Sequence, residues 1–306
     1  MASSRVVRRG ALIYYGSLRA LGVTAIRRRL CDGGLILCYH NVVADHEHSA
    51  GGVGLHIPCE RFERQVRWLA AHYDVVSLRE LVDRLASGAT LRSTAAITFD
   101  DAYTGVFDHA VPLLSTLGVP ATIFVVADAP GRLAGFWWDH PDVVRCFTAD
   151  RREAWLSQFR GDGAAILSDI RATSVTLPAA HRPADWATIR AHAKNGIDIG
   201  VHTATHRSMP RLDDVELEHE IVTSRSVIHR TTGIRPEFFA YPYGHHDARI
   251  RALVRKAGYR AALSLEPGLN SVPTDPWCLR RVNVPAGISD AAFEAWAAGL
   301  HLHKNG

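Results

Sequence analysis

The sequence predicts an α/β fold built on a parallel sheet that is closed or partly closed into a barrel. Along most of the 306 residues, short apolar runs alternate with segments whose apolar residues recur at helical spacing. This alternation is typical of parallel sheets, in which each strand is followed by a helix that returns the chain. No internal repeat or low-complexity linker interrupts the pattern, so we expect one domain.

The elements follow from apolar spacing and from helix-ending glycines. Leu35 to Tyr39 is a continuous apolar run, whereas Phe62, Val66 and Leu69 share one helix face. We expect strands at 35–39, 75–76, 95–99, 121–126, 197–201 and 238–241, and extended runs at 261–265 and 279–284. Helices are predicted at 59–72, 78–85, 107–117, 185–194, 213–232 and 248–257, three of them ended by Gly88, Gly118 and Gly233. Residues 128–180 are irregular, an insertion with one weak helix near 153–159.

The amino-terminal segment is basic and only partly apolar. Seven arginines occur within residues 1–30, and the first acid is Asp32. Arg19 interrupts the apolar residues, so the segment is too short for a transmembrane helix, and no convincing signal-peptide cleavage site follows it. A basic amphipathic helix on an anionic membrane surface fits the pattern, and so does a solvated or core-docked leading helix. We expect a cytoplasmic protein, peripheral at the inner membrane face.

Composition excludes several classes of protein. The net charge of +4 is small and no basic patch with interleaved aromatics is present, so nucleic acid is not an expected partner. Five scattered cysteines without a C-x-x-C pair predict reduced thiols rather than disulfides. We divide the chain into a basic helix at 1–33, a barrel at 34–290 and a carboxyl-terminal tail at 291–306.

Two polar motifs stand at the ends of predicted strands. Asp100 and Asp101 close the run 95–99, and His202 and His206 close the run 197–201. A pair of carboxylates is usually a solvated turn, and 17 histidines make chance spacings common. Here, however, buried strands deliver both sets to the rim, where a metal would offset the cost of buried charge. One carboxylate and two imidazoles leave positions open for water, and a spare carboxylate can act as base. The pattern indicates a metal-dependent hydrolase.

The chain resembles the polysaccharide deacetylase family, also called the nodulation-protein-B homology domain or carbohydrate esterase family four. The resemblance covers roughly residues 35–285 and rests on three motifs in order: Thr98-Phe99-Asp100-Asp101, His202-Thr203-Ala204-Thr205-His206 and Phe239-Ala240-Tyr241-Pro242-Tyr243-Gly244. Leu37-Cys38-Tyr39-His40, Phe136-Trp137-Trp138-Asp139 and Glu266-Pro267-Gly268-Leu269-Asn270 are similar to segments of one bacterial branch. The resemblance implies a single distorted (β/α) barrel and metal-dependent removal of N- or O-acetyl groups from a glycan.

Roles are carried over by the same resemblance. Asp101, His202 and His206 would bind one divalent metal, Asp100 would be the base, and His40 would be the general acid. The substrate-binding residues would be Tyr241, Pro242, Tyr243 and Asp139. Zinc is the expected ion because the donors mix imidazole and carboxylate, and cobalt or nickel could substitute.

Three departures from the family pattern concern the site. Ala102 replaces the usual glycine after the aspartates, and no arginine precedes the Pro-Tyr segment near Ala240. The late Leu-x-His that supplies a general acid is absent, since Leu263-Ser264-Leu265 contains no histidine. His40 takes the acid role in the branch that this chain resembles, and its place at a strand end allows it.

The expected reaction is hydrolysis of an N-acetylated oligo- or polysaccharide. The metal would polarise the acetyl carbonyl while Asp100 accepts a proton from water. A backbone N–H near Tyr243 would stabilise the oxyanion. Trp137, Trp138 and Tyr241 would either face sugar rings or belong to the core.

Two alternatives remain open at this point. Two histidines and a carboxylate also form the triad of non-haem iron oxygenases, which would require many short alternating strands. A catalytically inactive glycan-binding module of the same fold is the other alternative, because Ala102 and the missing arginine depart from the pattern. Retention of Asp100 argues against that module, since a binder needs no base.

Overall fold

A curled parallel sheet forms the centre of the computed structural model, which describes residues 2–47 and 54–301, with side chains from residue 10 onward. The strands are β1 (Leu35–Tyr39), β2 (Asn41–Val43), β3 (His56–Pro58), β4 (Asp74–Val75), β5 (Thr94–Phe99), β6 (Ala121–Val125), β7 (Asp198–Val201), β8 (Phe238–Ala240), β9 (Ala261–Leu263) and β10 (Val282–Asn283). The main sheet has the order β10-β1-β5-β6-β7-β8-β9, β4 pairs with β5, and β2 and β3 pair separately.

The main sheet curls toward closure. Its neighbouring strands are parallel, and one further parallel bridge joins Leu263 at the end of β9 to Leu279, just before β10. The two ends of the strand order therefore approach each other. The predicted α/β class and distorted barrel are confirmed.

Burial explains why the strands read as unbroken apolar runs. Every residue of β1 and of β5 is buried, with helices on one side and the barrel interior on the other. Parallel strands covered on both faces carry continuous apolar residues rather than an alternating pattern. This is why short runs such as 35–39 could be identified from sequence.

Thirteen helices are present in the described residues. They are α1 (Ala2–Ala20), α2 (Val23–Leu30), α3 (Cys59–His72), α4 (Leu78–Ser87), α5 (Val111–Leu117), α6 (Pro141–Cys146), α7 (Ala149–Gln158), α8 (Gly163–Asp169), α9 (Trp186–Lys194), α10 (Asp214–Glu218), α11 (Ser224–Thr232), α12 (Ala248–Lys256) and α13 (Asp290–Ala297). Gly88, Gly118 and Gly233 end their helices with left-handed φ angles, as their positions predicted. The helix predicted at 213–232 is continuous, with a π-helical turn at His219–Thr223 between α10 and α11.

The insertion is more ordered than the sequence suggested. It contains α6, α7 and α8 as well as a short 3₁₀ turn at Trp137–Asp139, rather than one weak helix. Side-chain caps begin these helices: Thr148 accepts from Arg151 N–H, and Asp162 accepts from two backbone N–H groups. Short capped helices lack the extended periodicity that sequence reading requires, which explains the error.

Both chain ends differ from the predicted division. Within the predicted basic helix at 1–33, the described residues form two helices, because the helix is interrupted at Leu21-Gly22, where Gly22 has φ 70°. Within the predicted tail at 291–306, the described residues 291–301 are not separate from the barrel, since α13 continues to Ala297 and buries Phe293 and Ala295. Helices α1 and α13 pack on each other.

Candidate functional site

A cavity of about 210 Å³ opens at the carboxyl ends of the barrel strands. This is where parallel α/β folds place their functional residues, because the loops that follow the strands converge there. The cavity is lined by His40, Leu55, Asp100, Asp101, Trp137, Trp138, Phe147, Arg152, His202, His206, Tyr243, Leu265 and Asn283. The predicted catalytic residues His40 and Asp100, the three predicted metal ligands and Tyr243 thus line one cavity.

Asp101, His202 and His206 form a compact donor group at the floor of this cavity. Oδ1 of Asp101 lies 3.4 Å from Nε2 of His206 and 3.8 Å from Nε2 of His202. The three potential ligand atoms lie within 4.8 Å of one another, and all three residues are buried. The structure therefore brings together the residues predicted to bind the metal.

The hydrogen bonds of His202 leave its inner nitrogen free to bind a cation. Nδ1 of His202 lies 2.8 Å from the carbonyl oxygen of Ala240, which can only accept, so Nδ1 carries the proton. Nε2 then presents its lone pair to the cavity. A backbone carbonyl on the outer nitrogen is the usual support for a metal-binding imidazole.

The environment of the Asp101 carboxylate is the best test of whether these three residues fit a metal ion. Its Oδ1 atom is buried without a hydrogen-bond partner. Burial, together with the charges of Asp100 and Asp139, raises the pKa of Asp101 well above its usual value. An unpaired buried carboxylate beside two imidazole nitrogens is a costly arrangement that a divalent cation would stabilise. The residues present fit such an ion.

Asp100 has the opposite environment. Arg281 donates to Oδ1 at 2.7 Å and to Oδ2 at 2.8 Å, and Cys38 Sγ lies 3.4 Å from Oδ2. Burial alone would raise the pKa of Asp100, but the guanidinium of Arg281 and the neighbouring His202 outweigh it and hold this pKa below its ordinary value. Asp100 is therefore an ionised carboxylate with a fixed orientation.

His40 lies beside this pair at the end of β1. Burial lowers the pKa of His40 to about 4. The charge of Arg281 also lowers this pKa, whereas the charge of Asp100 raises it. Its Nδ1 atom has no hydrogen-bond partner. The resting imidazole is therefore neutral, so it must gain a proton before it can act as a general acid.

Left-handed backbone conformations concentrate around the site. Among the eight described non-glycine residues with positive φ, five belong to the site loops: Asp101, Ala102, Thr203, His206 and Tyr243. Ala102 has φ 50° in the position where the family usually has glycine, which costs an alanine about 1–2 kcal/mol. Strained conformations of this kind persist where the surrounding structure over-determines them, commonly at functional sites.

Aromatic side chains hold His206 in place. The ring of Trp138 lies 4.6 Å and that of Tyr243 lies 4.7 Å from the His206 ring, between centroids. The insertion supplies Trp138 and the turn after β8 supplies Tyr243. Arg152 of α7 lies over the Tyr243 ring at 5.4 Å and adds a guanidinium to the cavity wall. Trp137 and Trp138 line the cavity although both are largely buried.

Three of the four predicted substrate contacts do not line the cavity. Tyr241 is fully buried, and its hydroxyl donates to the Trp277 carbonyl at 2.8 Å. Pro242 is buried as the first residue of the 3₁₀ turn Pro242–Gly244, which also contains Tyr243. Asp139 accepts from His56 Nε2 at 2.8 Å and from the Tyr103 hydroxyl at 2.6 Å, so both its oxygens are occupied inside the protein. Among these four residues, Tyr243 lines the cavity.

Sequence reading missed two residues that support the site. Arg281 stands 181 positions after Asp100 yet binds it bidentately, whereas the sequence indicated only that an arginine was missing near Ala240. The available signal was the pair Arg280-Arg281 inside the extended run 279–284. Glu220 is buried and accepts from the backbone N–H groups of Ala204 and Thr205, so it anchors the histidine loop.

Comparisons with known proteins find a matching family model and related sequences. A family model described as "Polysaccharide deacetylase" matches residues 87–262, more than half of the chain. His40 and Arg281 lie outside that match. The chain is 23% identical over 267 residues to "Putative polysaccharide deacetylase YxkH" from Bacillus subtilis (strain 168), covering 87% of this chain and 76% of that protein. It is 30% identical over 131 residues, 41% of each chain, to "Chitin deacetylase 1" of Saccharomyces cerevisiae.

Solved structures show the same fold at low sequence identity. The "Streptococcus pyogenes deacetylase PplD in complex with acetate" superposes with a TM-score of 0.60 at 14% identity, over 84% of this chain and 94% of that one. IcaB from Ammonifex degensii superposes with a TM-score of 0.62 at 20% identity, over 88% and 98%. At these identities the similarity shows a shared fold and nothing further.

Proposed function

The chain belongs to the polysaccharide deacetylase family, and we propose that it hydrolyses acetamido groups of an N-acetylated oligo- or polysaccharide with the help of a divalent metal ion. The products are acetate and a sugar with a free amine. The observation that supports this most directly is the pairing of two unlike aspartates in one cavity. Oδ1 of Asp101 has no hydrogen-bond partner and lies beside two imidazoles. Asp100 is kept ionised by its hydrogen bonds from Arg281.

Each aspartate has a distinct role in the proposal. Asp101, His202 and His206 would hold the ion, which when bound would polarise the acetyl carbonyl and lower the pKa of water. Asp100 accepts a proton from the attacking water. Because Arg281 lowers the pKa of Asp100, this carboxylate is ionised but only weakly basic, so its action would depend on a metal that lowers the pKa of the water.

His40 and Tyr243 complete the proposed site. A ligand atom of His40 lies within 4.8 Å of the Asp100 carboxylate, close enough for one water molecule to connect them. His40 can take up a proton there and deliver it to the departing amine. Tyr243 lines the same cavity, and a backbone N–H at its turn would stabilise negative charge on the acetyl oxygen.

Zinc is the proposed ion. Two neutral imidazoles and one carboxylate suit zinc, and cobalt or nickel is compatible with the same donors. The iron-oxygenase alternative expected many short alternating strands, whereas the strands of the main sheet are parallel and most of them are separated by helices.

The test is acetate release from chitooligosaccharides by the purified protein. We expect release of acetate and free amine in equal amounts, loss after chelation, and recovery on adding back zinc. His206→Ala should lose both metal and activity, whereas His219→Ala, a control at an exposed histidine, should retain both. Chelator-resistant turnover would contradict the proposed mechanism.

A catalytically inactive glycan-binding module is the competing function. It would bind chitooligosaccharides and retain metal without releasing acetate. Binding measured by calorimetry beside the activity assay distinguishes the two functions. The low basicity of Asp100 is compatible with either, so this measurement decides between them.

A further inference from the structure

Helices α1 and α2 contact the barrel side through a small number of side chains. Tyr15 of α1 is buried, and its hydroxyl accepts from Nε1 of Trp296 in α13 at 2.8 Å. Arg19 forms an ion pair with Glu294 of α13 at 3.3 Å. In α2, Thr24 is the buried residue. One side of the two helices is thus docked, and the other side faces outward.

The outward side carries an unusual amount of exposed apolar surface. Among described residues, eleven large hydrophobic side chains are exposed, and six of them lie within residues 12–30. The largest exposed fractions in this segment are those of Leu21 (75%), Ile13 (71%) and Leu30 (71%). Ile26 and Leu30 stand four residues apart and therefore share one side of α2. Clustered exposed apolar residues of this kind mark an interaction surface.

The same surface is cationic. Residues 10–31 contain Arg19, Arg27, Arg28 and Arg29 and no acidic residue. Arg19 is paired with Glu294, and Arg28 lies over the Trp68 ring at 5.6 Å, so these two also hold the helices in place. Arg27 and Arg29 are exposed beside Ile26 and Leu30. We call Leu21, Ile26, Leu30, Arg27 and Arg29 the N-terminal surface.

We propose that the N-terminal surface binds an anionic lipid bilayer. Its apolar side chains would enter the boundary between headgroups and acyl chains, while the arginines contact lipid phosphates. None of the described helices is both long and apolar enough to cross a bilayer, so the contact is interfacial. A second copy of the chain fits less well, because its arginines would meet like charges. Anionic lipids are concentrated in the cytoplasmic leaflet, and the sequence predicted a position at the inner membrane face.

The bilayer contact is separate from the cavity. Helix α2 leads into β1 from the amino-terminal end, and Asp32 after it bonds Thr90 and Leu91 just before β5. The cavity lies at the opposite, carboxyl ends of the same strands. Acetate release from a soluble oligosaccharide therefore serves as an independent measure of an intact barrel.

Vesicle co-sedimentation of the full chain tests the proposal. We expect binding to phosphatidylcholine vesicles that contain about 30% phosphatidylglycerol, weak binding to pure phosphatidylcholine, and a decrease with salt. Leu21→Glu combined with Ile26→Glu should weaken partitioning roughly tenfold or more, as should Arg27→Glu combined with Arg29→Glu. The matched control is Val215→Glu, at a hydrophobic side chain that is 78% exposed on α10.

Each outcome bears on the proposal. Thermal unfolding of every variant establishes that the protein still folds. Equal binding to both vesicle types, or unchanged binding by both double variants, overturns the proposal. A dimer in analytical ultracentrifugation that Ile26→Glu dissociates would show that a second copy occupies the surface instead. The proposal is supported if both double variants lose binding to anionic vesicles while Val215→Glu retains it.

Discussion

Asp100 and Asp101 are neighbours in the chain whose carboxylates have opposite environments. Arg281 donates two hydrogen bonds to Asp100, whereas Oδ1 of Asp101 has no partner. The pKa of Asp100 is correspondingly lowered and that of Asp101 is raised. Asp101 has a φ of 70°, which turns the backbone at the strand end and lets both side chains reach one cavity. The difference in environment predicts a difference in role.

Asparagine substitutions separate these two roles. Asp100→Asn keeps the shape of the side chain but cannot accept a proton, so we expect metal to be retained and activity to fall about 10²–10⁴-fold. Asp101→Asn should lose metal and activity together, because a neutral amide is a poor ligand. Metal content by atomic absorption and acetate release measure both effects. The reverse pattern of metal retention would exchange the two assignments.

Arg281 is a positioning residue for Asp100, and lysine in its place should change the pH dependence. Without the bidentate guanidinium, burial raises the pKa of Asp100, so the ionised base is lost at a higher pH. Activity should fall more than about tenfold, and the acidic limb of the pH–rate profile should move toward neutral. Arg281→Gln would leave a buried charge unpaired, at a cost of about 3–5 kcal/mol, and is the harsher variant.

The adjacent Arg280 provides the control for this measurement. Its side chain is exposed, so Arg280→Lys should leave the profile unchanged. An Arg281→Lys protein with reduced activity but the normal acidic limb would show that the arginine acts on structure rather than through Asp100.

The loop between β7 and α10 is the element that sets the spacing of the histidines. Glu220, in the π-helical turn, accepts from Ala204 N–H at 2.9 Å and Thr205 N–H at 3.0 Å. Within the loop, Thr203 Oγ1 accepts from His206 N–H at 3.0 Å. The loop is thus held from both sides, which fixes the His206 ring 4.7 Å from the His202 ring, between centroids.

Glutamine at position 220 should loosen this loop without unfolding the barrel. Both backbone N–H groups bond Oε2 of Glu220 and the Thr205 hydroxyl bonds Oε1. A glutamine oxygen can accept from the two N–H groups, but the Thr205 hydroxyl then faces an NH₂ group and loses its acceptor. We expect metal affinity to fall about 10–100-fold, the usual effect of losing such support. Zinc titration with a competing chelator measures it. Glu218→Gln, at an exposed position nearby, should bind zinc normally, and equal affinities in both variants would contradict the anchoring role.

Asp139 connects the insertion to the barrel. It accepts from His56 in β3 and from Tyr103 after β5, and Trp138 Nε1 donates to the Tyr103 hydroxyl at 2.8 Å. Asn41 donates to His56 Nδ1 at 2.9 Å and continues the network. This network explains why Asp139 is buried inside the protein and does not line the cavity.

Asparagine at position 139 distinguishes the structural role from the substrate contact that the sequence suggested. One buried donor would lose its acceptor, at about 1–3 kcal/mol, which corresponds to a Tm lower by roughly 2–12 °C. We expect that decrease in a thermal melt. An unchanged Tm with a raised KM would instead restore the direct substrate contact.

At the scale of the whole molecule, the barrel assembles the site from distant parts of the chain. The ends of β1, β5 and β7 bring together His40, Asp100, Asp101 and His202, and the turn after β8 adds Tyr243. Parallel pairing places all these carboxyl ends on one rim. Folding of the barrel and formation of the proposed metal site are therefore one event.

Removal of metal should consequently lower the stability of the whole protein. A ligand at 100 times its Kd adds about 2.7 kcal/mol to the folded state, so chelation should lower the Tm by roughly 5–11 °C. Differential scanning calorimetry with and without zinc measures the shift. His202→Ala should show the same Tm in both conditions, and a wild-type Tm that is insensitive to zinc would argue against the site.

Local patterns in the chain were sufficient to predict the alternating elements, the barrel and the identity of the site motifs. Apolar runs and glycine stops report on burial and backbone conformation within a few residues, which is why 59–72 was predicted to the residue as a helix. Contacts between residues that are distant in the chain produce no such local pattern. Arg281 and Asp100 meet across 181 residues, and the burial of Asp139 depends on β3 and on the loop after β5. Their partners, and hence their charge states, follow from three-dimensional packing because electrostatic interactions depend on distance in space rather than along the chain.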